Sequence, residues 1–107
     1  MENVFRALAD KNRRRLLDRL FETDGQSLSE LCEGAAISRQ AVSKHLRILE
    51  QAGLVVTDWA GREKRHYLNP VPISEIGDRW IGKFARRRAA AVVALKAALE
   101  ESDDEGS

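Results

Sequence analysis

The chain has 107 residues, of which 43% are hydrophobic and 33% are charged. This size and composition are typical of one globular domain and exclude the disordered and membrane-embedded classes. No apolar run reaches the roughly 18 residues that a membrane helix needs. The opening MENVFRALAD carries acidic residues where a signal peptide would carry a basic head. We therefore expect a soluble, cytoplasmic protein with no membrane partner.

The net charge of +1 is unevenly distributed along the chain. Five of the 17 acidic residues fall within residues 100–107, which leaves 18 basic against 12 acidic residues, about +6, in the remainder. The basic residues cluster at 13–15, 39–47, 62–65 and 86–88. Such clusters favour a polyanionic partner, although any one of them viewed alone fits a solvated helix face equally well.

Cysteine and histidine are too few for the common metal sites. Cys32 is the only cysteine, so the chain has no internal disulfide and lacks the paired thiols that most structural zinc sites use. His45 and His66 are far apart in sequence, and each is more often a packed or surface histidine than a ligand. We expect no metal, no cofactor and a buried, inert Cys32 thiol, with a one-thiol redox switch as the alternative.

The spacing of apolar residues predicts three helices within the first 34 residues. Asp10 is the predicted N-cap of the second helix, and Ser27 or Ser29 that of the third, with Glu30 completing a capping box after Ser27. Gly34 closes the third helix. One face of the first helix carries Val4, Phe5 and Leu8, and the second helix carries the apolar residues Leu16, Leu17, Leu20 and Phe21. On the third helix the residues predicted to face inward are Leu28, Leu31 and Cys32.

A fourth helix has the clearest boundaries, because Ser38 provides an N-cap and Gly53 a left-handed stop. Its predicted apolar face consists of Ala41, Val42, His45, Leu46 and Leu49. Its opposite face presents residue types that contact bases and phosphates, namely Arg39, Gln40, Ser43, Lys44 and Arg47. Two short strands follow, 54–59 and 64–68, joined at 60–63 by a basic turn that contains glycine.

A long final helix follows Asn69-Pro70 and Pro72. Its apolar residues recur every three or four positions, with an interruption at 86–88, and are Ile73, Ile76, Trp80, Phe84, Val92, Leu95 and Leu99. This stripe exceeds what a small core can absorb, so we expect a partner subunit to cover it.

The predicted fold is mainly α with a small β-hairpin (α+β): a winged helix-turn-helix with five helices and a two-stranded wing between helices 4 and 5. We expect residues 1–101 to form one DNA-binding and dimerisation domain. Residues 102–107 are predicted to be a disordered acidic tail, because they contain no apolar side chain.

Three segments together resemble the ArsR/SmtB family of bacterial repressors. They are FRALADKNRRRLLDRL, SLSELCEGAAISRQAVSKHLRILEQAGLV and the hairpin GREKRHYLNP, and the resemblance covers about residues 3–84. It implies a homodimer whose terminal helices pair and whose fourth helices each enter a major groove of double-stranded DNA. The candidate DNA-binding residues are Ser38, Arg39, Gln40, Ser43, Lys44 and Arg47 on that helix, and Arg62, Lys64 and Arg65 on the hairpin.

The implied dimer interface joins the first helix to the final one. Its candidate residues are Val4, Phe5, Leu8, Ile73, Ile76, Trp80 and Phe84. The sequence departs from the metal sensors of the family, since one thiol stands at Leu31-Cys32-Glu33 where many of them carry a Cys-x-Cys pair. Histidine is also absent from residues 73–99. We therefore predict a regulator that does not sense metals.

No pattern of catalytic residues supports an enzyme. The alternative to a DNA-binding repressor is a winged-helix module that binds a protein without specific DNA binding. In that case changing Arg39 or Lys44 to alanine would leave function intact, whereas a regulator would be impaired. Trp80 and Phe84 are more simply core residues than the lining of an effector pocket. The operator, the inducing signal and any small-molecule effector stay open.

Overall fold

The computed structural model describes residues 1–106, of which 102–106 are described by their backbone alone. The chain forms two compact units, Met1–Ile73 and a second that begins at Ser74. The side chains of the predicted acidic tail, residues 102–107, lie outside the described part of the chain. Its disorder, and the assignment of residues 1–101 to one domain, stay predictions.

Four helices build most of the first unit: α1 Glu2–Leu8, α2 Lys11–Glu22, α3 Leu28–Cys32 and α4 Arg39–Gln51. Each of the last three begins at a predicted cap. The Asp10 carboxylate accepts the backbone N–H of Asn12 at 2.8 Å, and Ser27 Oγ accepts that of Glu30 at 3.2 Å. Side-chain oxygens thus satisfy amides that a helix start leaves without intrahelical acceptors. The predicted capping box forms in part: Glu30 Oε1 accepts from the Ser27 hydroxyl at 3.2 Å, whereas a capping box uses the backbone N–H of the cap residue.

The core of the first unit is aliphatic. Its largest fully buried side chains are Leu20, Leu31, Val42, Leu49 and Leu54. One apolar residue of α2 and the cysteine of α3 lie outside this core. Phe21 is 80% exposed, because it lines the open side of a groove with Leu8 and Ile73 instead of the core. Cys32 is only half-buried, because α3 ends at that residue and leaves it at the edge of the core.

A three-stranded antiparallel sheet completes the first unit, with strands β1 Gln26–Ser27, β2 Val55–Ala60 and β3 Glu63–Leu68 in the order β1-β3-β2. The predicted hairpin forms, and β1 adds a third strand that the sequence analysis did not include. In the register, His66 of β3 lies between Gln26 and Thr57. The β2–β3 turn contains Gly61 at φ 65° followed by Arg62 without a positive φ, as in type II′ turns.

The final helix is continuous but not uniform. Its first segment is α5 Val71–Ile76, a π-helical turn spans Gly77–Ile81, and α6 is Gly82–Gly106. A π-helical turn contains more residues per turn than an α-helix, and the sequence analysis did not predict one in this helix. The apolar side chains of the helix are exposed, among them Phe84 at 68% and Leu95 at 60%.

Candidate nucleic-acid interface

The rotation of α4 is fixed by the three side chains that it buries. Val42, Leu46 and Leu49 are each at most 3% exposed and anchor one side of the helix in the core. At 100° per residue, the opposite side must face solvent. The exposed residues of that side are Gln40, Lys44 and Arg47, with Ser43 partly exposed beside them, and Arg39 is exposed next to them as the first residue of the helix. The predicted DNA-facing set of α4 is therefore brought together on one surface.

The first residues of α4 are held by hydrogen bonds. Ser38 Oγ accepts the backbone N–H of Ala41 at 3.1 Å, which begins the helix. This acceptor role leaves the Ser38 hydroxyl hydrogen free to donate. The Arg39 guanidinium donates to Ser29 Oγ of α3 at 3.2 Å. This bond orients an arginine that remains exposed at the start of the helix.

A second anchor joins α4 to the helices before it. The Arg13 guanidinium lies 3.2 Å from His45 Nδ1 and donates to the backbone oxygens of Ala7 at 2.8 Å and Arg6 at 3.1 Å. His45 therefore contacts the start of α2 from the half-buried side of α4. Arg13 holds α1, α2 and α4 together instead of lying free for a partner.

The hairpin presents only part of its predicted basic set freely. Arg62 is exposed at the turn. Lys64 Nζ instead lies 3.2 Å from Glu50 Oε1 of α4. Arg65 donates to the backbone oxygen of Gly25 at 2.8 Å and pairs with Glu63 at 3.1 Å. Of the three basic residues predicted on the hairpin, Arg62 is therefore exposed, whereas Lys64 and Arg65 contact groups of the same chain.

Trp59 belongs to this surface and was missed by the sequence analysis, which treated it only as a strand residue. Successive side chains of a strand point to opposite faces, so Trp59 shares a face with Thr57. Thr57 Oγ1 donates to Glu50 of α4 at 3.1 Å. Trp59 lies opposite Lys64 in the β2–β3 register and is 65% exposed. Strand alternation places Trp59 on the same face as Val55 and Thr57, but it does not reveal that this face becomes exposed toward the turn.

Comparisons with known proteins agree with this geometry. Residues 8–58 match a family described as a helix-turn-helix domain. The chain is 37% identical over 84 residues to the HTH-type transcriptional regulator YuzN of Bacillus subtilis, and the match covers 73% of this chain and 91% of that one. It is 33% identical over 87 residues to the transcriptional repressor SdpR of the same organism, covering 81% and 94%.

Similarity to a solved structure identifies the family. An ArsR-like transcriptional regulator from Rhodococcus sp. RHA1 superposes with a TM-score of 0.72 at 34% identity, covering 91% of this chain and 90% of that one. The chain belongs to the ArsR family of transcriptional regulators. Its winged helix-turn-helix fold is that of a DNA-binding transcription regulator, and the family is not one of enzymes.

The predicted dimer residues of this ArsR-family regulator differ in exposure. Val4 is 7% exposed and packs within its own chain, while Leu8 and Ile76 are partly exposed. The remaining four are open to solvent and are Phe5, Ile73, Trp80 and Phe84. Four apolar side chains are therefore available to a partner subunit.

Metal ligands do not converge in the part of the chain that the structure describes. No group of three or more histidine, cysteine, aspartate or glutamate side chains there could hold a metal ion. His66 is buried, and its Nδ1 lies 2.9 Å from the backbone oxygen of Gln26. Within the same described residues, no helix is both long and apolar enough to span a membrane.

Proposed function

We propose that this chain is a homodimeric repressor that occupies an inverted-repeat operator and does not respond to metals. The observation that carries the proposal is the burial of Val42, Leu46 and Leu49, which turns the polar side of α4 outward. Repression is carried over from SdpR, which is named a transcriptional repressor. Binding over a promoter would exclude polymerase, and the protein would act in the cytoplasm.

The base-reading residues of the proposal are on the first two turns of α4. Arginine and lysine bond the O6 and N7 atoms of guanine, and glutamine can read adenine in the major groove. Arg39, Gln40, Ser43 and Lys44 would make these contacts, with Arg47 one turn further on. Ser38, whose hydroxyl hydrogen is free to donate, would bind a phosphate.

The hairpin would contact the DNA backbone or the minor groove. Arg62 is the residue best placed for this role, because it is exposed at the turn. We also propose DNA contacts for Lys64 and Arg65. To make them, Lys64 would have to leave or share Glu50, and Arg65 would have to leave or share the backbone oxygen of Gly25. We therefore expect Arg62→Ala to weaken DNA binding more than Lys64→Ala does.

Two copies of the chain would place two α4 helices on one side of the duplex. Pairing through the first and final helices would use the exposed residues Phe5, Ile73, Trp80 and Phe84. The symmetry of the dimer fixes the distance between its α4 helices, so half-sites should be about 10 base pairs apart or near a multiple of that. Operators of random spacing that bind equally well would contradict a dimer.

The test is fluorescence anisotropy with DNA from upstream of the gene and with a scrambled duplex, at two salt concentrations. Tighter binding to the natural fragment is expected, with a salt slope of about 0.9 per neutralised phosphate. Arg39→Ala and Lys44→Ala should each weaken specific binding about tenfold, from the loss of a base contact. Lys96→Ala, on α6, is the matched control. Equal binding to both duplexes would contradict a specific regulator at this promoter.

A further inference from the structure

The first unit contains a cavity of about 320 Å³ beside the helix-turn-helix. One wall is α2, and the other is formed by the end of α3, the segment 33–37 and Val42 of α4. The cavity exists because Gly34, Ala35 and Ala36 follow one another in the turn and offer no side chain larger than a methyl group. Gly34 at φ 74° and the bond from Ala35 N to Cys32 O at 3.1 Å fix the path of that turn.

The inner surface of the cavity is apolar. Leu16, Leu31 and Val42 form its floor, and the half-buried Ala35 and Ile37 form its side. Ligand pockets measure roughly 300–1,000 Å³ and are lined mainly by such side chains. This volume lies at the small end of that range, so it accommodates one ring or a short chain and not a nucleotide.

The mouth of the cavity carries a net positive charge. Arg15 and Arg19 lie one turn apart on α2 and both line it, against one carboxylate, Glu33. Arg19 donates to the backbone oxygens of Leu31 and Glu30 and to Gln26 Oε1, and these acceptors are all neutral. Arg15 is exposed at the mouth. Two guanidinium groups above an apolar floor complement a ligand with one anionic end and an apolar body.

The cavity is in direct contact with the start of α4. Ile37 lines it and is followed at once by Ser38, the N-cap, and by Arg39. Val42, on the floor, is one turn further along the same helix. A ligand that pushes α2 away from Ile37 and Val42 would therefore displace the residues of α4 that are proposed to read bases. Coupling of this kind is reciprocal, since DNA would lower the affinity for the ligand by the same factor.

We propose that this cavity binds a small apolar monocarboxylate, with Arg15 holding the carboxylate, and that occupancy lowers the affinity for DNA. The second half of this inference rests on the proposed function, whereas the first half does not. Binding is therefore measured first on the full chain without DNA.

The probes are benzoate and hexanoate, each compared with its uncharged counterpart, benzyl alcohol or hexanol, by calorimetry and by backbone amide shifts. The carboxylates should bind about tenfold more tightly than the alcohols, from the charge-assisted hydrogen bond, and should shift the amides of Ala35 and Ile37. Failure of both carboxylates to bind, or equal binding of the alcohols, would overturn the site.

Two variants with matched controls test the placement. Arg15→Gln should remove the preference for the carboxylate, while Arg14→Gln should retain it, because the Arg14 guanidinium bonds Leu8 O and does not line this cavity. Ala35→Leu should fill the cavity and abolish binding of either probe, while Ala89→Leu on α6 should not. Far-ultraviolet circular dichroism verifies that each variant is folded. Unchanged binding to Arg15→Gln or to Ala35→Leu would refute the assignment.

The coupling is then measured by anisotropy with the operator fragment. Benzoate or hexanoate should weaken DNA binding by the intact chain and have no effect on Ala35→Leu. If the carboxylates bind but the affinity for DNA does not change, the proposed regulation is wrong and the proposed binding site is still supported. A chain that binds carboxylate but no specific DNA would refute the proposed function instead, so the two failures are distinguishable.

Discussion

Asp10 begins α2 and links the stability of the fold to pH. Partial burial raises the pKa of its carboxyl group, but hydrogen bonds from the backbone amides of Arg13 and Asn12 lower it, as do the nearby His45 and Arg13. The balance places the pKa below the ordinary value of 3.8. A carboxyl group with a lowered folded-state pKa stabilises the fold above its unfolded-state pKa. That contribution is lost as pH falls through the folded-state value.

We expect Asp10→Asn to separate the charge of this cap from its hydrogen bonds. Asparagine is also a good N-cap, so the variant should keep the cap and lose only the ionised form. It should be less stable than the parent at pH 7, and the difference should shrink as pH falls below about 4. Urea unfolding at pH 7 and pH 3 measures this. A difference of equal size at both pH values would show that the charge of Asp10 does not contribute.

Trp59 gives a direct optical test of the hairpin surface. The chain has two tryptophans, so Trp80→Phe leaves Trp59 as the only one. Because Trp59 is 65% exposed, operator DNA should change its emission. Trp59→Ala should weaken DNA binding about threefold to tenfold, the effect of losing one ordinary hydrogen bond of about 1 kcal/mol. Unchanged emission at saturating DNA would place Trp59 away from the interface.

Single residues were predictable where their roles are local. Asp10, Ser27 and Ser38 bond amides two or three positions away, so their roles as caps follow from the sequence and are confirmed. The engagement of Arg65 with Gly25 and of Lys64 with Glu50 spans 40 and 14 residues. No local pattern encodes such contacts, because the fold brings the two partners together.

The hairpin turn depends on one backbone conformation. Gly61 has φ 65°, and a Cβ added there would meet nothing within 4 Å. Gly61→Ala should therefore destabilise the fold only through the left-handed backbone, by about 1 kcal/mol. Gly77→Ala is the control, since that glycine also has open space and lies in the helix without a positive φ. Equal urea midpoints for the parent and Gly61→Ala would show that alanine adopts the left-handed conformation at position 61 without a cost in stability.

Whole elements were more predictable than their details. Four helices, the hairpin and the final helix follow from apolar spacing and from caps. Strand β1 did not, because two residues carry no periodicity and Gln26 pairs with His66, 40 positions away. The π-helical turn Gly77–Ile81 was also missed, since its helical pattern of apolar residues does not reveal a local change of pitch.

The final helix exposes an apolar stripe that extends beyond the predicted dimer residues. Ile81, Val92, Leu95 and Leu99 are between 58% and 68% exposed. Together with Ala85 they follow alternating steps of four and three, with only Arg88 interrupting, which is heptad spacing. In proteins, most of the stability of a helix comes from the packing of such an apolar face. We therefore expect the stripe to be covered by a second copy of the same helix.

The one charged residue of the stripe, Arg88, favours an antiparallel arrangement of the two copies. In a parallel pair, Arg88 would lie against its own counterpart, and like charges in contact are unfavourable. In an antiparallel pair that sets Ile81 opposite Leu99 and Ala85 opposite Leu95 of the second copy, Arg88 lies opposite Val92 instead. The antiparallel register therefore pairs the apolar residues and keeps the two arginines apart.

Analytical ultracentrifugation of two variants tests this pairing. Leu95→Glu should dimerise about tenfold more weakly or worse, because the partner helix would bury an unpaired carboxylate. Ala97→Glu, on the opposite side of the helix from the stripe, should leave the dissociation constant unchanged. Arg88→Glu tests the direction of the pairing: mixed with the parent, it should form no excess of heterodimers, since Arg88 lies opposite Val92. A preference for heterodimers would contradict the antiparallel pairing, because only in a parallel pair do the two opposite charges at position 88 meet.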